Sequence, residues 1–196
     1  MKNRTASLNR KTGETEIELS VNIDGAGEAR LSCGLPFFEH MLNIFCRHGF
    51  FDLTLNAVGD LEVDGHHLVE DVGLVLGEAF RQALGDKAGI RRYGSVILPM
   101  DDALVLVAVD LSGRPFLAFD LPLPAVRLGT FDTELVEEFF RAFVSRAQCT
   151  LHVKLLDGRN THHIIEALFK ALARALDQAV TRDERLSGIP STKGVL

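Results

Sequence analysis

The stretch Asp64-Gly65-His66-His67-Leu68-Val69-Glu70 returns as Asn160-Thr161-His162-His163-Ile164-Ile165-Glu166, its histidines displaced by 96 residues. Self-similarity at a fixed long period limits the fold to copies of one supersecondary unit, because each copy buries its apolar face against the other. Leu53-Thr54-Leu55 likewise matches Leu151-His152-Val153 at a displacement of 98 residues, so the halves differ only by a small change in loop length.

Elements placed around these anchors repeat in order. In the first half Ile17, Leu19, Val21 and Ile23 alternate with polar residues, Asp24-Gly25-Ala26-Gly27 turns, and Glu28 to Cys33 extends again, which reads as a hairpin. Pro36 opens a helix carrying Phe37, Met41 and Phe45 every four residues until Gly49. Phe51 to Leu55 is a strand, and a helix from about His66 to Leu84 is closed by Gly85. In the second half strands fall near Val96 to Met100, Leu104 to Asp110 and Pro115 to Asp120. A helix from about Thr133 to Ala147, a strand Thr150 to Leu155 and a helix from about Thr161 to Ala179 follow. The unit is βββαβα used twice, which predicts an α+β fold with two mostly antiparallel four-stranded sheets packing on a layer of helices. One domain is expected, made of halves at about 1–90 and 91–185 with a C-terminal tail at 186–196.

A chain of 196 residues, 46% of them hydrophobic, buries a proper core without a structural metal or disulfide. The longest apolar run, Leu104 to Val109, suits a buried strand and is far too short for a bilayer. Met1 to Lys11 is polar and lacks an apolar signal core, so a cytoplasmic location and no membrane partner are expected. Cys33, Cys46 and Cys149 are odd in number and widely spaced, which speaks against a disulfide framework or a thiolate cluster. The net charge of −6, with Arg and Lys scattered singly, excludes a nucleic-acid surface, since phosphate backbones need a clustered basic face.

Four of the seven histidines fall in the two repeated pairs. On a helix the glutamate of His-His-x-x-Glu lies three and four residues beyond the histidines, so the three side chains share one end of the helix. Adjacent histidines nevertheless point about 100° apart and serve one ion poorly. Each pair is therefore expected to serve two different metals and to bridge copies of the site. Asp64 and Asn160, two residues before the pairs, suit N-caps. Imidazole with carboxylate and no thiolate suits Mn(II), Fe(II), Zn(II) or Ni(II). His40, beside an apolar helix face, reads on its own as structural, and Arg92, Arg114, Lys170 and the tail Pro190-Ser191-Thr192-Lys193-Gly194 are candidate anion contacts.

Leu35-Pro36-Phe37-Phe38-Glu39-His40-Met41, Asp64 to Asp71, Asp110-Leu111-Ser112-Gly113-Arg114-Pro115, Asn160 to Glu166 continuing to Phe169-Lys170, and Pro190 to Gly194 together resemble imidazoleglycerol-phosphate dehydratases. The resemblance runs from Glu14 to the C-terminus. It implies loss of water from imidazoleglycerol phosphate to give imidazoleacetol phosphate in histidine biosynthesis, with two Mn(II) ions per active site. It also implies a homo-oligomer, a 24-subunit octahedral shell built from trimers, with sites at subunit interfaces. Carried over by motif, the metal ligands are His40, His66, His67, Glu70, His162, His163 and Glu166, and the phosphate contacts are Arg92, Arg114, Lys170, Ser191 and Lys193. Glu14 matches an acid/base position, and Glu166 is a second carboxylate expected to take part in catalysis. The chain departs from the pattern at Glu138, where much of the family has a further histidine; a carboxylate ligand, direct or through water, is the expectation there.

The implied reaction explains the ligand set. The proton to be lost sits on a carbon activated by neither carbonyl nor imine, so a metal on the substrate's imidazole is expected to lower its N–H pKa, and the resulting imidazolate expels the neighbouring hydroxyl. Two rivals differ in class. A binuclear metallohydrolase would use the same ligands to activate water, and a metal-storage module would lack the anion contacts.

Overall fold

The computed structural model describes residues 4–194 and 196. Residues 1–3 of the N-terminal stretch and Val195 of the tail lie outside the described residues. Strands β1 (Thr5–Lys11), β2 (Thr15–Asn22), β3 (Ala29–Ser32) and β4 (Asp52–Gly59) form one sheet in the order β1-β2-β4-β3. Helix α1 (Pro36–Gly49) joins β3 to β4, and α2 (His66–Leu84) follows β4. The second half runs β5 (Tyr93–Met100), β6 (Ala103–Asp110), β7 (Phe116–Asp120), α3 (Leu135–Ala147), β10 (Thr150–Asp157) and α4 (Thr161–Val180). Its sheet order, β5-β6-β10-β7, repeats the path of the first. Between β7 and α3 lies a small extra pair, β8 (Arg127–Leu128) with β9 (Phe131–Asp132), which the sequence reading did not include.

Both sheets are mixed, with two antiparallel pairings and one parallel pairing each. The parallel pairs, β3 with β4 and β7 with β10, are those joined through a helix, as a parallel connection requires. The hairpin expected from Ile17 to Cys33 is therefore corrected: β4 lies between β2 and β3. The turn between them is held by Asp52, whose Oδ1 accepts the N–H groups of Ala26, Gly27 and Glu28 at 2.8 to 3.1 Å. β1, overlooked as polar, is an edge strand of alternating half-buried and exposed residues.

Alternation sets the inner faces. Ile17, Leu19 and Val21 on β2, and Val105, Val107 and Val109 on β6, are buried while their neighbours face outward or are partly covered. The helices cover these faces in a crossed arrangement, because α2 packs against α3 and α1 against α4. Each half thus contributes its first helix to the second helix of the other. Phenylalanine pairs cross between halves, Phe38 with Phe139 at 5.3 Å and Phe80 with Phe143 at 5.7 Å between ring centroids, so one continuous core results. Among the described residues no helix is long and apolar enough to cross a membrane.

Candidate metal centre

The crossed packing brings His40 on α1 to the first turn of α4. His40 Nε2 is 3.8 Å, and His162 Nε2 3.2 Å, from Oε2 of Glu166. One ligand atom from each of the three lies within 4.8 Å of the others. An ion bonded at about 2.1 Å sets cis ligand atoms about 3 Å apart and trans ones about 4.2 Å apart, so these separations fit a single ion with little movement. His40, which alone reads as structural, is thereby a member of the cluster. Phe37 packs edge-on against the His162 ring at 5.3 Å and walls one side of it.

Glu166 is bound at both oxygens. Lys170, one turn further along α4, donates from Nζ to Oε1 at 2.7 Å and leaves Oε2 toward the histidines. Partial burial pushes the Glu166 carboxyl up, but the Lys170 ammonium and His162 outweigh it and hold the group below its ordinary value. Lys170 Nζ also has Met100 Sδ at 3.2 Å.

His163 turns away from this cluster. Its ring plane lies at 82° to that of His162, and Nδ1–H donates to Asp102 Oδ1 at 2.6 Å while Nε2 stands 3.6 Å from Asp101. Backbone N–H groups of Asn160 and Arg159, with the His163 ring, hold the Asp102 carboxyl far below its usual range. The first half repeats this arrangement. His67 Nδ1–H donates to Asp60 at 3.0 Å, Nε2 faces Glu14 at 3.8 Å, and the hydrogen bond to the Asp60 carboxylate raises the imidazole pKa. A carboxylate on Nδ1 fixes the tautomer with Nε2 free for a metal, the usual outer-shell support of a ligand histidine. His66 stands 3.9 Å from Glu70.

Asp60, Asp101 and Asp102 were missed in the sequence because they lie at strand ends and turns, where an aspartate reads as turn chemistry. Asn160 caps α4 as expected, accepting from His163 N–H at 3.2 Å. Asp64 does not cap α2; Gly65 holds the N-cap position, and Asp64 accepts from His66 N–H at 2.7 Å instead.

The anion candidates gather elsewhere on the second half. Arg92 is gripped by Asp110 at 2.7 and 3.0 Å and donates to the Pro190 carbonyl at 2.9 Å, which fastens the tail. The chain end reaches Gly113, where a Cβ would come 2.5 Å from the Leu196 carbonyl carbon. Arg114 and Lys193 are both exposed, and Ser191 Oγ accepts from Lys193 N–H at 3.2 Å. Glu138 lines a cleft of about 450 Å³ with Glu134 and Glu137, 4.0 Å from Arg141, and no three-ligand group forms around it among the described residues.

The family model for imidazoleglycerol-phosphate dehydratase matches residues 33–176. A relative of that name from Acetivibrio thermocellus is 62% identical over 193 residues, covering 98% of this chain and 99% of its own length. Another from Desulforamulus reducens is 60% identical over all 196 residues and its full length. Among solved structures, the imidazoleglycerol-phosphate dehydratase of Staphylococcus aureus superposes with a TM-score of 0.83 at 42% identity, over 91% of this chain and 99% of that one. The Pyrococcus furiosus protein, solved with the compound (S)-C348, gives 0.82 at 37% identity over 96% and 100%. With the sheet order, the histidine cluster and these matches in agreement, the chain belongs to the imidazoleglycerol-phosphate dehydratase family.

Proposed function

We propose that the protein removes water from D-erythro-imidazoleglycerol phosphate to give imidazoleacetol phosphate, in the cytoplasm, with two Mn(II) ions per active site. The observation that carries this reading is the cluster of His40, His162 and Glu166, whose nitrogen and oxygen donors match that ion; in the other half a carboxylate, Glu14, faces His67. Bound Mn(II) supplies Lewis acidity to the substrate's imidazole. Glu14 carries the proton between the reacting carbons and solvent. Asp60 and Asp102 orient His67 and His163, and Lys170 orients Glu166. Arg92, Arg114, Lys170, Ser191 and Lys193 hold the phosphate, and Arg92 also fastens the tail through the Pro190 carbonyl.

The ligand side chains stay open: His40 is 49% and His66 44% exposed. Chemistry on a charged intermediate needs water excluded, which supports a site closed by further copies of the chain in a homo-oligomer, proposed as the 24-subunit shell of trimers. The two-half domain with its substrate-binding tail is part of the same proposal.

The test is direct. Mn(II)-loaded protein given imidazoleglycerol phosphate is expected to form the ketone and release no inorganic phosphate; phosphate release in place of ketone would establish the hydrolase. Arg114→Ala and Lys193→Ala are expected to raise KM by about 10- to 150-fold with Mn(II) content steady, since a charge-assisted phosphate contact contributes about 1.5 to 3 kcal/mol. A normal KM in both variants would remove the phosphate assignment.

Glu138 is proposed as a ligand in place of the family's histidine. The repeat relates it to His40, which stands with His162 and Glu166, so by the same relation the partners expected for it are His66 and Glu70. Glu138→Ala is expected to weaken one of two Mn(II) binding steps by about tenfold or more and spare the other. Two unaltered steps with full activity would show an ordinary surface glutamate.

A further inference from the structure

Among the described residues the buried charged side chains are Asp71 and Lys87, and Asp71, 7% exposed, has no part in the chemistry described above. It follows Glu70 on α2, and its two oxygens reach across to the first hairpin. Oδ1 accepts from Arg10 Nε at 2.9 Å and Oδ2 from Thr15 Oγ1 at 2.5 Å. Arg10 and Thr15 bracket the turn that carries Glu14.

The hydroxyl protons in this turn can be placed by elimination. A carboxylate paired with a guanidinium only accepts, so the Thr15 hydroxyl spends its one proton on Asp71. The 3.1 Å contact between the Thr12 and Thr15 hydroxyls is then donated by Thr12. Both lone pairs of Thr12 Oγ1 are left to accept, and they take the N–H of Glu14 at 3.1 Å and of Thr15 at 2.9 Å. The Thr12 N–H closes the turn onto the Thr15 carbonyl at 2.9 Å. Both threonine hydroxyl protons in the turn are directed by the one buried carboxylate, and the network ends on the backbone of Glu14.

The second half lacks this device. The position equivalent to Asp71 is Ala167, and the turn between β5 and β6 is fastened by its own Asp102 to the start of α4. A buried carboxylate therefore stands only where the turn presents Glu14. We infer that Asp71 is a positioning residue that sets Glu14 against the ligand histidines of α2 through Thr15 and Thr12, an inference that rests on the dehydratase reading with Glu14 as proton carrier.

A double-mutant cycle on the Mn(II)-loaded protein tests it. Asp71→Asn keeps its amide oxygen on the Arg10 guanidinium and turns its N–H toward the Thr15 hydroxyl, which then has no acceptor there. It is expected to lower kcat by about 10- to 100-fold, the scale of a misplaced catalytic group, with KM and Mn(II) content unchanged. Thr15→Val is expected to do the same, and Thr15→Ser, which keeps the hydroxyl, to restore most of the rate. In a Glu14→Gln background neither Asp71→Asn nor Thr15→Val lowers kcat further, because the group they position is already gone. Losses that multiply would overturn the inference, since a residue acting only on stability slows the Glu14→Gln protein too. Should Asp71→Asn fail to fold, Thr15→Val completes the same cycle. A wild-type protein that makes no ketone would instead overturn the dehydratase reading, and the inference with it.

Discussion

His162→Ala is expected to lower kcat by about 1000-fold or more while the melting temperature stays close to that of the parent. His162 faces Glu166, its Nε2 3.2 Å from the carboxylate, with its ring centroid 5.9 Å from that of His40. Removing it leaves two donors where three converge, and the Lewis acidity lost contributes several kcal/mol to the barrier, each 1.36 kcal/mol being tenfold in rate. The fold does not depend on this side chain, which is 43% exposed and contributes little to the core. Activity within tenfold of the parent, measured with Mn(II) in excess, would remove His162 from the centre.

A large stability effect is expected at Gly77. A Cβ there would overlap the carbonyl oxygen of Phe143 and lie 2.9 Å from Ala147 N, and one turn earlier a Cβ on Gly73 would lie 2.8 Å from Phe139 O. All of these atoms are backbone of α3, so no side chain can turn aside. Glycine in a helix normally costs about 1 kcal/mol against alanine, and here that cost is offset by the close approach of α2 to α3. Gly77→Val forces the helices apart and is expected to destabilise by about 3 kcal/mol or more, a fall in melting temperature of about 6 to 12 °C. A thermal melt unchanged to within about 2 °C would show that α3 moves freely. It would also break the link between core and site, because α2 begins with His66 and His67.

The repeated histidine pairs made the duplicated unit legible, and Gly49, Gly85 and Pro36 marked helix ends close to where they fall. What failed was pairing at a distance. Glu28 to Cys33 reads as the second arm of a hairpin because the nearest strand in sequence is β2, yet α1 carries the chain over to insert β4 between them. β1 was invisible because an edge strand with Ser7, Asn9 and Arg10 among its residues has little hydrophobic contrast. At the site, spacing alone explained why His162 and His163 part company, and the structure shows His162 facing Glu166 while His163 faces Asp101 and Asp102. His40 needed the family resemblance, since only the packing of α1 on α4 brings it to Glu166. Asp102 supports His163 from 61 residues away, and no local pattern announces such a partner. The Lys170 pair is local by contrast: the lysine sits one turn beyond Glu166, a spacing that favours the ion pair seen.

The central claim is that each adjacent histidine pair is divided between two metal ions. Calorimetric titration of metal-free protein with Mn(II) tests it through two variants, His162→Ala and His163→Ala. Wild-type protein is predicted to bind two ions per chain, with His162→Ala weakening one step and His163→Ala the other. If the two variants weaken the same step, or if either leaves both steps as in the wild type, the pair does not serve two centres and the account fails.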